Sequence, residues 1–229
     1  MLIAAEKNWN DHVAQAEEIA RCDGFKDLRD RILELAEPMP GETVIDIGAG
    51  TGLLTLALTE HDVQIWALDI APAMCDYLRT KAASAGAKNV QVCTGSAESL
   101  PFVEEFADLI VSNYCLHHLD AAGKDRALSE ILRVLRPGGR LVFGDMMFTL
   151  NLAGQRDRAV VAQKVRAMIR KGPAGILRLT RNAARLATGR WEHPVDADRW
   201  RDALQRAGFE QVRVDVLAHE GGVASARKA

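Results

Sequence analysis

Three groups of residues in this 229-residue chain have the types and spacing to do chemistry. The first is Val44-Ile45-Asp46-Ile47-Gly48-Ala49-Gly50-Thr51-Gly52, an apolar run with one acid, then three glycines alternating with small residues. Leu53 to Leu58 follows, apolar and rich in helix formers. This order predicts a buried strand, a tight turn and a helix N-terminus. Glycine permits positive φ and lets a ligand come close to the backbone, and in an open α/β sheet such a turn lies at the carboxyl ends of the strands, where ligands bind. The pocket is of nucleotide type. The second group is Asp69, which ends the run Gln64 to Leu68, roughly twenty residues past the turn, where an acid can accept both hydroxyls of a ribose. The third is Asn113-Tyr114-Cys115-Leu116-His117-His118, after the apolar run Phe106 to Ser112. Histidine is the natural general base near neutral pH. Adjacent histidines do not share a helix face and no third ligand is apparent, so no metal site is expected.

A glycine turn alone does not name the nucleotide, since dinucleotide enzymes use a similar one. The spacing here is Gly-x-Gly-x-Gly, with Asp46 two positions before the first glycine, and no Gly-Lys-Ser/Thr follows. With these residues the chain resembles the class I S-adenosylmethionine-dependent methyltransferases, whose first motif carries an acid and three glycines in the places of Asp46, Gly48, Gly50 and Gly52. The resemblance implies S-adenosylmethionine as cofactor, with Ala49 and the glycines shaping its pocket, Asp69 on the ribose and Ile70 on the adenine. It also likens Gly95-Ser96-Ala97-Glu98 to the family's adenine-binding turn. Aspartate is common at the position of Ser96, whose hydroxyl offers a hydrogen bond without a charge; the N–H of Ala97 is the second candidate there. Asn113 is implied under the methionine end.

Leu116-His117-His118 resembles the small-molecule branch of that family, with its quinone, sterol and natural-product methyltransferases. The Asn/Asp-Pro-Pro-Tyr of the branch that methylates amino groups of nucleic acids is absent. A sulfonium is already activated, so holding a nucleophile in line supplies much of the rate and a base is not obligatory. If a proton must leave, His117 or His118 is the candidate, with Tyr114 orienting; the alternative is that both histidines are structural. Trp9 and His12, in an N-terminal segment of the kind that lies over the cofactor and substrate in this family, are candidates for the pocket wall, against simple packing of Trp9. Asp145 and Met146, after the strand Leu141 to Gly144, are expected at the pocket's rim, where Asp145 either contacts substrate or does nothing.

The elements that must position these residues follow from periodicity. Residues 5 to 36 read as two helices broken at Asp23-Gly24, with Leu28, Ile32, Leu35 and Ala36 as an apolar stripe. Strands are predicted at Thr43 to Ile47, Gln64 to Leu68, Val90 to Cys93 and Phe106 to Ser112. Helices run from Pro72 to Ala85 and from Ala121 to Leu135, and Arg136-Pro137-Gly138-Gly139 turns into the next strand. Asp196 caps a last helix, and Glu210 to Leu217 with Gly221 to Ala226 make two final strands. The fold class expected is α/β, a doubly wound seven-stranded sheet of Rossmann-like type with the last strand antiparallel. One domain is expected, divided into a helical segment 1–37, a cofactor-binding core 38–145, a helical insert 146–195 and a closing helix and strand pair 196–229.

The insert is unusual. Residues 151–190 hold ten Lys/Arg (among them Arg156, Arg166, Arg170 and Arg181) against one acid, Asp157. The segment is thus +9 within a chain of net charge −2, leaving −11 on the remainder. Gly172-Pro173-Ala174-Gly175 is expected to split it into two helices. A basic amphipathic helix reads as a membrane-surface element or a clamp for an anionic partner, and its place over the acceptor site suits an acidic or lipid-like substrate; a solvated basic face is the plainer alternative. Nucleic acid is disfavoured because the insert has no base-stacking aromatics.

Composition is ordinary for a globular protein, with 48% hydrophobic and 26% charged residues, so neither disorder nor a membrane span is indicated. Cys22, Cys75, Cys93 and Cys115 form no Cys-x-x-Cys and are expected as reduced thiols. Met1 to Ala5 is too short for a signal sequence, and a cytoplasmic location is expected. The function expected is methyl transfer from S-adenosylmethionine to a small molecule. The alternatives are a nicotinamide-dependent oxidoreductase and a non-catalytic or peripheral-membrane module that keeps the cofactor fold.

Overall fold

The computed structural model describes residues 9–148, 154–170, 172–187 and 193–229. Seven strands form one sheet in the order β3-β2-β1-β4-β5-β7-β6. They are β1 (Thr43–Ile47), β2 (Gln64–Asp69), β3 (Val90–Thr94), β4 (Ala107–Asn113), β5 (Leu135–Met146), β6 (Glu210–Val216) and β7 (Gly221–Arg227). The first five run parallel and β7 pairs antiparallel to both β5 and β6. The α/β expectation therefore holds. Chain order reverses between β1 and β4, which lie side by side with Ile47 opposite Ser112. That crevice is where a doubly wound sheet binds its ligand.

Alternation along the strands divides the core between two faces. Ile45, Ile47, Leu141 and Phe143 point to one side, packed with Leu128 and Ile131 of α5 (Ala121–Val134) and Trp200 and Leu204 of α8 (Ala197–Ala207). Val44, Ile65, Val111 and Val142 point to the other, against Leu28 and Ile32 of α2 (Asp23–Ala36) and Leu54 and Leu58 of α3 (Leu53–Leu58). The helix α4 (Pro72–Ser84) adds Leu78 beside Ala49 and Ala67. Burial on both faces is what makes the parallel strands read as nearly continuous apolar runs.

Three local expectations are corrected. Asp23 and Gly24 open α2, and the chain breaks from α1 (Val13–Ala20) at Arg21 and extended Cys22; an acid in the first turn favours a helix start. The segment is split into two helices at Gly172 to Gly175 as expected, α6 (Gln155–Arg170) and α7 (Gly172–Ala187), but these four residues form the first turn of α7, because proline costs no hydrogen bond in a first turn. The Arg136-Pro137-Gly138-Gly139 turn lies inside β5, where Ala107 faces Leu135 and Leu109 faces Arg140, so the extra residues bulge out between them. Of the N-terminal and insert readings, residues 1–8, residues 149–153, Lys171 and residues 188–192 lie outside the described residues. No helix among the described residues is long and apolar enough to cross a membrane.

Candidate active site

One half of the candidate site is made largely of backbone. Between β1 and α3 the amides of Gly48 and Ala49 both donate to the carbonyl of Leu68, at 2.8 and 2.9 Å, tying the turn to the end of β2. Gly48 and Gly52 have φ of +72° and +88°. A Cβ on Gly48 would stand 2.3 Å from Cys115 Sγ, and one on Gly52 2.3 Å from Leu78 Cδ1. Glycine is thus required at both for conformation and for space. Asp69, at the end of β2, accepts from Gly50 N at 2.8 Å and from Ala71 N at 2.9 Å. Burial raises its pKa while these amides oppose the shift. Each oxygen keeps a lone pair for a ligand hydroxyl. Ile70 beside it is 57% exposed, an apolar surface with no protein cover.

Asp46 sits under the turn, 1% exposed, and accepts from Thr55 Oγ1 at 2.5 Å. Burial, with the Asp69 charge adding, pushes its carboxyl up to about 7 against the pull of the Thr55 hydrogen bond. Ser96 and Ala97 are partly buried beyond β3. Ser96 Oγ accepts from Glu98 N at 3.2 Å, and Ser96 bridges to Ser99, so the hydroxyl is partly spent on its own turn.

The other half is made of side chains drawn from distant elements. Asn113 ends β4, with Nδ2 donating to the carbonyl of Phe25 on α2 at 3.5 Å and a buried Oδ1 that has no hydrogen-bond partner among the described residues. Tyr114 turns left-handed at φ +53° and stacks on Phe25, centroids 4.1 Å apart. Burial, then the Glu220 and Asp145 charges, raise its phenol well above the ordinary range, so it stays neutral. Cys115 is held by Gly48 and burial raises its thiol in the same way, as befits an inert cysteine. A short 3-10 turn, Leu116–His118, then brings His117 back over β5, where Nδ1 lies 2.5 Å from Asp145 Oδ1. Both are buried, at 5% and 0% exposure. A carboxylate only accepts, so Nδ1 is the donor of this pair and Nε2 is left for another partner.

Asp145, expected at the rim, is instead fully buried: it belongs to β5, and Met146 N also donates to Oδ1 at 2.8 Å, while Oδ2 has no partner among the described residues. Met146 is 8% exposed and packs with Phe148 and Val160 of α6 against Tyr114. His118 lies beside His117, ring centroids 3.9 Å apart, and is covered by Trp9 at 4.6 Å. The His12 ring meets Trp9 edge-on, centroids 6.0 Å apart. Asn10 Oδ1 accepts from Ala73 N at 2.9 Å, and Glu17 of α1 pairs with Lys81 at 2.9 Å, whose Nζ also donates to Thr51 O. The N-terminal segment is thereby latched across the glycine turn.

Sequence reading missed Phe25, the pairing of Asp145 with His117, and Lys124. The Lys124 ammonium is buried and donates to the carbonyls of Leu119 and His193, while His193 N donates to His117 O at 2.8 Å, so the histidine turn is tied to the chain leaving the insert. Burial lowers the Lys124 pKa against the pull of Asp145 and Asp120. Nothing local in Asp120-Ala121-Ala122-Gly123-Lys124 signals that role. Among the described residues no group of three or more His, Cys, Asp or Glu is arranged to hold a metal.

Residues 44–139 match a family model described as a methyltransferase domain. An uncharacterized methyltransferase of Geobacillus kaustophilus is 36% identical over 119 residues, 52% of this chain and 54% of that protein. A ubiquinone/menaquinone biosynthesis C-methyltransferase of Vibrio vulnificus is 36% identical over 45% of this chain and 40% of its own length. The chain thus spans about half the length, or less, of these curated relatives. The crystal structure of an S-adenosylmethionine-dependent methyltransferase from Aquifex aeolicus shares the fold, with a TM-score of 0.68 at 18% identity over 95% of this chain and 98% of that one. The matched residues run from β1 through the glycine turn to the bulge of β5, and nothing in these likenesses favours a nicotinamide enzyme. By that match residues 44–139 form a domain of the class I S-adenosylmethionine-dependent methyltransferase type, and the fold around it, through the final antiparallel strand, is one that such an enzyme shares.

Proposed function

We propose that this chain methylates a small-molecule acceptor bound at the carboxyl ends of β4 and β5, with His117 as general base and Asp145 as its positioning residue. The observation that carries the reading is the buried His117–Asp145 pair at 2.5 Å, one turn of chain away from the glycine turn that Cys115 contacts. S-adenosylmethionine supplies, when bound, an activated methyl on a sulfonium. Gly48, Ala49, Gly50 and Gly52 shape its seat, Asp69 holds the ribose, Ile70, Ser96 and Ala97 face the adenine, and the buried Asn113 Oδ1 accepts from the methionine ammonium. Asp46 lies below as a charge that a bound cation keeps ionised.

Held there, S-adenosylmethionine would supply the methyl carbon and its sulfur would leave with the carbon–sulfur electron pair, while the acceptor would supply the electron pair of the new bond. The acceptor proton passes to Nε2 of His117, and Asp145 stabilises the resulting imidazolium. A carbon, oxygen or nitrogen nucleophile bearing an acidic proton satisfies this geometry. The likeness to a quinone-pathway C-methyltransferase makes a phenolic ring one candidate acceptor. Tyr114, Met146, Trp9 and His118 form the wall, with His12 behind it.

The test is to incubate the chain with methyl-labelled S-adenosylmethionine and a cell extract and then partition the label. Label in the organic phase supports a lipid-like or aromatic acceptor; acid-precipitable label means a macromolecular target and ends the small-molecule reading. Calorimetry should show S-adenosylhomocysteine binding and no NAD binding, and the reverse result would remove the methyl-transfer reading itself.

A further inference from the structure

The methyl-transfer reading makes no use of the outer surface of α6 and α7. The foot of this pair is built into the protein. The Arg156 guanidinium donates to the carbonyls of Met147 and His219 at 2.8 Å each, and to those of Leu217 and Gly221 at 3.1 and 3.2 Å. Val160 is buried beside Met146 and Phe148.

The far end is built differently. Val165 and Ile169, one turn apart on α6, are 37% and 54% exposed, and Ile176 and Leu177, early in α7, are 52% exposed each. Four of the nine exposed large hydrophobic residues among those described thus fall within positions 165–177. Singly scattered ones need no explanation, but a cluster marks an interaction surface. The helices pack against each other and meet at position 171, so Ile169, Ile176 and Leu177 all lie within two turns of the same junction, here called the corner. Arg166, Arg170 and Arg181 are exposed around it, and none of the three joins an ion pair among the described residues.

We infer that the α6–α7 corner docks on an anionic lipid bilayer, its aliphatic side chains entering the headgroup boundary and its arginines meeting lipid phosphates. Charge complementarity selects this occupant and also its orientation. The +9 of residues 151–190 is attracted by an anionic surface and the −11 of the remainder is repelled by it, so the corner faces the bilayer and the sheet faces away. Nucleic acid would use the arginines but leave four aliphatic side chains in water, and the segment offers no aromatic ring on which bases stack. The docking stands without the methyl-transfer reading.

The experiment is co-sedimentation of the full chain with vesicles of pure phosphatidylcholine and of phosphatidylcholine mixed equally with phosphatidylglycerol. Binding is expected to the anionic vesicles alone, and to fall as salt is raised. Since each basic residue near such a surface contributes on the order of 1 kcal/mol, reversing three charges in R166E/R170E/R181E should weaken it by a hundredfold or more. Ile169→Asp with Leu177→Asp should abolish it, and R166K/R170K/R181K should leave it nearly intact. A solvatochromic dye on Leu177→Cys should shift to the blue with anionic vesicles, a readout that keeps every charge in place. S-adenosylhomocysteine affinity of each variant, measured in parallel, separates this inference from the reading of the active site. Equal binding of the variants and the parent, an unshifted dye, or salt-sensitive binding to RNA without vesicle binding would each overturn the docking.

Discussion

The two halves of the site are built on opposite plans. On the β1–β2 side the groups are main-chain amides, one carbonyl and the Asp69 carboxylate, all within the residues from Asp46 to Ala71 and tied to one another by short hydrogen bonds. On the β4–β5 side the wall is assembled from Phe25 of α2, the Tyr114–His118 turn, Asp145 of β5 and Val160 of α6, which come from the length of the chain. A backbone cradle can be written into one short motif and serves an invariant ligand. A side-chain wall has to be recruited from many elements, and each can change with the acceptor while the cradle stays as it is.

If the halves are separable in this sense, their variants should fail in different ways. The largest effect is expected from His117→Ala, a loss of turnover of about a hundredfold to ten-thousandfold, as for a general base, with S-adenosylhomocysteine affinity unchanged. Asp145→Asn should lose less and should shift the pH–rate profile, because the amide still holds the ring but no longer stabilises the imidazolium. A fall in cofactor affinity in either variant would break the division. Asp69→Ala should act on the opposite half, lowering affinity by roughly tenfold to a hundredfold through the lost charge-assisted bonds, read by calorimetry.

The third effect is one of pH. Asp46 has a folded-state pKa of about 7, well above the ordinary carboxyl value, so the free fold holds a proton there that the unfolded chain has already released. Stability of the cofactor-free protein should therefore fall as pH rises from about 4 to about 7. A bound cation favours the ionised form, so cofactor binding near neutrality should release a proton and tighten as pH rises toward and through 7. Calorimetry in buffers of different ionisation enthalpy reads that proton directly. Thr55→Val removes the bond that holds the pKa down and should move the midpoint upward; an unchanged midpoint would exclude Asp46 as the group. The smallest effect belongs to the latch: Glu17→Gln should weaken cofactor binding by a few-fold at most, since partly exposed ion pairs are worth about 0–1 kcal/mol, and the loss should vanish in high salt.

The same contrast explains what could be read in advance. The seven strands, the reversal between β1 and β4 and the place of Asp69 follow from runs of apolar residues and from glycines whose spacing is local. The breaks at Asp23-Gly24 and at Gly172 to Gly175 were misplaced by a residue or more because acids and prolines end helices at one terminus and start them at the other, and only packing decides which. Asp145 looked like a rim residue because nothing in the sequence says that a turn thirty residues earlier will fold back over it.

What the sequence determined by itself is the α/β class, the glycine turn after β1 and a +9 segment, since each rests on periodicity, on backbone conformations open mainly to glycine, or on a count of charges. Tertiary structure alone decided that His117 meets Asp145, that Phe25 carries Tyr114, that Lys124 ties the histidine turn to His193, and that Val165, Ile169, Ile176 and Leu177 are exposed while Val160 is buried. Those outcomes depend on contacts between residues far apart in the chain, and short-range preferences carry no information about which distant side chain will be brought within hydrogen-bonding reach.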